Sequence, residues 1–102
     1  MKKTEVGEIY LALTGRYIKV GSAKVFTGTR LDAYITDNPM IEIIEVKKGT
    51  TKNETEYRQL FENLGFRRQT KYGVVTEWFY LPKWIKVDNI RQYGFRFFEG
   101  WL

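Results

Sequence analysis

The sequence predicts an α+β domain: a small, largely antiparallel sheet of three to four strands flanked by helices. Three observations predict it. Short apolar runs are closed by Gly or Pro, several alternate with period two, and one segment between them switches to helical spacing. The chain has 102 residues, the length of one domain, and 43% of them are hydrophobic and 17% aromatic. That is enough apolar material for a core and excludes a disordered or collagen-like chain.

The elements follow in order. Val6–Leu13 reads as a strand, Thr14-Gly15 as a two-residue turn, and Tyr17–Gly21 as a second strand. In this register Tyr10 lies directly opposite Lys19, while Ile9, Leu11, Ile18 and Val20 take the other face and supply core. Lys24–Gly28 reads as a loop. A short helix from about Thr29 carries Leu31 and Ile35 on its apolar side and stops at Asn38-Pro39. Met40–Lys47 is rich in Ile and reads as a third strand, closed by Gly49. In the next segment Tyr57, Leu60, Phe61 and Leu64 fall at i, i+3, i+4 and i+7, with Gly65 placed for the C′ position. Thr51 and Glu54 have the form of a capping box at its start. A basic loop follows, then a strand over Val74–Leu81 halted by Pro82. The last stretch, with Trp84, Tyr93, Phe95, Phe97, Phe98 and Trp101, is too aromatic to stand free. The expected organisation is therefore a single domain with its core over 6–81 and an aromatic extension over 82–102 packed on it.

Charge and composition narrow the chemistry. Lys and Arg total 17 against 12 Asp and Glu, a net charge of +5, and neither His nor Cys is present. Cys/His zinc sites, disulfides, thiol nucleophiles and His-based triads are excluded. No apolar run is long enough to span a bilayer, and the charged N-terminus lacks a signal peptide's apolar core, so a soluble cytoplasmic protein is expected. The mild basic excess permits a polyanionic partner without requiring one.

Several groups are candidates for a site. Lys19 beside Tyr10 favours the phenolate, although the pair also reads as an ordinary cross-strand contact. Arg30 and Tyr34, four apart on the first helix, form either a phosphate clamp or a solvated face. Glu54 serves as a metal ligand, as the partner of Thr51, or as the i,i+4 mate of Arg58. Glu77 alternates onto the side of Phe79 and Leu81, and a carboxylate on an apolar face needs a partner such as an Arg. Arg58, Arg67, Arg68 and Lys71 lie among Phe61, Phe66 and Tyr72 and are offset by Glu62. Cations interleaved with aromatics suit a nucleic-acid backbone with stacked bases, or else a solvated loop.

At these same positions the chain resembles the small phage- and fungus-type subfamily of the GIY-YIG nuclease superfamily. The matching pieces are Gly7-Glu8-Ile9-Tyr10, Tyr17-Ile18-Lys19-Val20-Gly21, Arg30-Leu31, Asp37-Asn38-Pro39, Glu54 with Phe61 seven later, and Glu77-Trp78-Phe79. They run in order from about Gly7 to Leu81. The resemblance implies a nuclease domain on an antiparallel sheet that hydrolyses a DNA phosphodiester with one divalent cation, Mg²⁺ or Mn²⁺. It implies that Tyr10 activates the attacking water, Lys19 assists it, Arg30 binds the scissile phosphate, Tyr34 lies near the nucleophile and Glu54 holds the metal. Glu56 and Glu62 share that helix and are alternative ligands. The roles suit the chemistry, which needs an activated water, positive charge on the phosphoryl oxygens and a hard cation.

The sequence departs from the subfamily in two places. Arg58 stands where many members carry a His, and Glu8 adds negative charge beside the motif tyrosine. The resulting expectation is a Mg²⁺-dependent DNA endonuclease of phage or mobile-element origin, with a protein partner for targeting. The alternative is a silent module of the same fold that binds nucleic acid or a protein.

Overall fold

Alternation along the first strand sets the two faces of the sheet. Ile9, Leu11 and Leu13 are fully buried on one side, and Tyr10 and Ala12 are buried on the other. A computed structural model describes residues 5–24 and 39–102. Its strands are β1 (Gly7–Thr14), β2 (Tyr17–Ala23), β3 (Glu42–Gly49), β4 (Arg67–Lys71) and β5 (Val74–Tyr80), and its helices are α1 (Thr51–Asn63), α2 (Val87–Tyr93) and α3 (Arg96–Glu99). All the strands form one antiparallel sheet in the order β3-β1-β2-β5-β4. The α+β class is as expected, but the sheet has five strands rather than three or four. The expected helix from about Thr29, with Arg30, Leu31, Tyr34 and Ile35, lies outside the described residues.

The first hairpin differs from the expected register by two residues. Its turn is Gly15-Arg16, so Tyr10 faces Gly21 and Lys19 faces Ala12. The cause is local: Gly15 has φ +58°, which a type II′ turn demands at its first central position, whereas Thr14 there would be strained. A shift of two leaves each side chain on its own face. Tyr10 and Lys19 therefore remain neighbours, diagonally rather than directly, with the ammonium 5.8 Å from the ring centroid.

The largest core lies between the sheet and the helices. Ile9, Leu11, Leu13, Ile18 and Val20 meet Tyr57, Leu60 and Phe61 of α1. Phe61 is the hub, with its ring 5.0–5.5 Å from those of Phe66, Phe79 and Phe98. Ile85, Ile90, Phe95 and Phe98 join this cluster, so the aromatic tail packs onto the sheet as its composition requires. Arg16 fastens the start of that tail: its guanidinium donates to the carbonyls of Leu81, Pro82 and Ile85 at 3.2, 2.6 and 3.0 Å. On the opposite face a smaller cluster holds Tyr10, Ala12, Ala23 and Ile41, with Trp78 packed against it.

Two further expectations need correction. The capping box at α1 is Thr50 with Asn53, not Thr51 with Glu54, because the helix begins at Thr51 and an Asn side chain returns the bond as well as a Glu would. Glu54 is thereby released from capping. The basic segment after α1 is not a loop but the edge strand β4, joined to β5 through Tyr72-Gly73.

Candidate functional site

Glu54 sits in the first turn of α1 on the helix's sheet-facing side, three residues before the buried Tyr57. Its carboxylate is only 12% exposed. One oxygen accepts from the Ser22 hydroxyl on β2, and the other meets the Arg58 guanidinium one turn along the helix. Arg58 reaches on to Glu77 of β5 at 3.6 Å, and Glu77 in turn takes the Lys19 ammonium at 3.3 Å. Lys19 lies 5.8 Å from the ring of Tyr10 and equally far from Trp78. A chain of polar contacts thus runs Ser22–Glu54–Arg58–Glu77–Lys19, and the Lys19 ammonium approaches the Tyr10 ring.

This chain of contacts crosses the sheet. Ser22 shares the parity of Ile18 and Val20 and faces α1, while Lys19 and Tyr10 belong to the other face. The crossing occurs where β2 and β5 have only the pairs Tyr17–Tyr80 and Ile18–Phe79. Past Ile18 no further pair joins them, and Glu77 stands there between Lys19 and Arg58. Glu77 does find the Arg partner that its position called for, yet it is 54% exposed rather than buried.

Tyr10 is placed by what β2 lacks. A Cβ at Gly21 would fall 2.2 Å from the phenol oxygen, so the buried ring lies against that glycine. Glycine is the one residue type that admits the tyrosine in this position.

The other basic residues divide between faces. Arg68 turns to the helix side, where it lies 3.4 Å from Glu62 and over Phe79. Arg67 and Lys71 pair with Tyr80 and Val74 and share the face of Lys19 and Trp78. Arg30 and Tyr34 lie outside the described residues. Sequence reasoning missed Ser22, although a hydroxyl in the apolar series Ile18–Val20 was the available signal.

Hard oxygen donors at Glu54, with the Ser22 hydroxyl beside it, suit a Mg²⁺ ion that completes its shell with water and phosphate. Arg58 supplies one positive charge there already. A divalent ion at Glu54 requires that guanidinium to turn to Glu77, which stands within reach. Among the described residues no three acidic side chains cluster as a ready-made metal cage. No known family model, curated protein or solved structure matches the chain.

Proposed function

We propose that the protein is a Mg²⁺-dependent endonuclease that hydrolyses a phosphodiester bond in DNA. One observation supports this reading above the others: the chain of contacts that joins Lys19, beside Tyr10 on one face of the sheet, to Glu54 on the other. Tyr10, once its own hydroxyl proton has passed to solvent, would take a proton from the attacking water at its phenolate oxygen. Lys19, fixed by Glu77, stabilises negative charge on that oxygen through space. Glu54 and the Ser22 hydroxyl would hold the cation, which would supply positive charge to the phosphodiester. Arg58, which also reaches Glu77, would be a second cation for the phosphate, and Arg30 takes its phosphate-binding role from the family resemblance alone.

A non-cutting module that binds nucleic acid is the second reading, favoured by the guanidinium already seated on Glu54. The two separate in a plasmid assay. Supercoiled DNA incubated with the protein should be nicked in Mg²⁺ and left intact in EDTA. A shift in mobility without nicking, at any Mg²⁺ concentration that supports binding, selects the second reading.

A further inference from the structure

The sheet face that carries Tyr10 and Lys19 extends across β5 to the edge strand, and its chemistry there is unusual for a solvent face. Tyr17 and Tyr80 form an edge-to-face pair with centroids 5.1 Å apart. Together with Arg67, Gln69 and Thr70 they line a concavity of about 580 Å³. A second concavity of about 450 Å³ lies alongside, lined by Lys19, Gln69, Lys71, Thr76 and Trp78 and by Glu77, whose carboxylate is paired with Lys19. Both fall within the roughly 300–1,000 Å³ of ligand clefts. Arg67 and Lys71 make no ion pair among the described residues. At the hairpin tip Tyr72 is 94% exposed with φ +53°. That left-handed position in a type I′ turn favours Asn, and a tyrosine there is held in strain without any burial to offset it.

We infer that this face, from Lys19 across Trp78 and Tyr80 to Arg67, Lys71 and Tyr72, is a platform for a single DNA strand with unpaired bases. Exposed rings can stack on a base only when its own faces are uncovered, which a duplex does not allow. The cations flanking the rings then meet the phosphates between stacked bases. The inference rests on the nuclease reading for its choice of DNA and extends it: the strand bound beside Lys19 is unpaired.

The test measures binding of fluorescein-labelled dT12 and of a 12-base-pair duplex by anisotropy, in EDTA so that cutting plays no part. The wild type should bind dT12 more tightly than the duplex. Tyr80→Ala should weaken dT12 binding by about 5- to 150-fold, the range for loss of one stacked base, and Tyr80→Phe should restore it. Tyr72→Asn should weaken binding while raising the melting temperature, which separates display of the ring from folding. Changing Arg67 and Lys71 together to Ala should lower the salt slope, log K against log[salt], by about 1.4, for two single-strand phosphate contacts. Duplex binding as tight as dT12 overturns the inference, as does unchanged dT12 affinity in Tyr72→Asn or an unchanged salt slope in the double variant. Tight dT12 binding by a protein that never nicks DNA in Mg²⁺ leaves the platform standing and removes the nuclease reading.

Discussion

The phenol of Tyr10 lies directly on the backbone of Gly21, so close that any β-carbon at position 21 would occupy the place of the ring. The three atoms nearest that β-carbon all belong to Tyr10. Gly21→Ala should therefore push the ring off its seat, destabilising the fold by about 1–3 kcal/mol as overpacking does and reducing DNA cleavage more than stability alone explains. Thermal melts of Gly21→Ala and of Gly21→Ala combined with Tyr10→Ala test this. The pair should be less destabilised than the sum of its single changes, and strict additivity contradicts the contact.

In the proposed reading, Arg58 and a divalent ion compete for Glu54. Arg58→Gln should bind Mg²⁺ more tightly than the wild type in a calorimetric titration without DNA, since a permanent charge beside the carboxylate is removed. Cleavage should nevertheless fall, because that reading also makes the guanidinium a second cation for the phosphate. Unchanged Mg²⁺ affinity would place the ion elsewhere.

The start of α1 offers a comparison between adjacent threonines. Thr50 caps the helix by accepting from the Asn53 amide at 3.2 Å, whereas the Thr51 hydroxyl is buried with no hydrogen bond among the described residues. Thr50→Ala should cost about 0.5–2 kcal/mol. Thr51→Val should be neutral or stabilising, as it removes an unsatisfied polar atom and keeps the shape. Urea denaturation of both variants checks the sign of each.

Phe61 joins α1, the sheet and the tail. It is fully buried, and Phe61→Ala should destabilise by about 3–5 kcal/mol. Near-ultraviolet circular dichroism should also lose intensity, because the rings of Phe66, Phe79 and Phe98 all pack on it.

Much of this was legible in the sequence, and the exceptions have physical causes. The alternation of Ile9, Leu11, Ile18 and Val20 against Tyr10 and Lys19 gave the correct faces, because a register error of two residues preserves them. The error itself came from the choice of turn residues, where Gly15 takes the first central place instead of the second. The edge strand β4 was invisible, since Arg67-Arg68-Gln69-Thr70-Lys71 contains no apolar residue to show a period; charged residues are what keeps such an edge from pairing with other chains. The helix face of the site was only half visible. Glu54 and Arg58 were paired by spacing, but the link through Glu77 to Lys19 depends on how β2 and β5 part beyond Ile18, and no local pattern encodes that.

The central claim is that Tyr10 and Glu54, on opposite faces of the sheet, serve one reaction. Nicking rates for Tyr10→Phe, Glu54→Gln and the double variant, at fixed Mg²⁺, test it most directly. Members of one catalytic unit lose activity together, so the double variant should be about as slow as the slower single variant. Losses that multiply, or a single variant that cuts at the wild-type rate, contradict the claim.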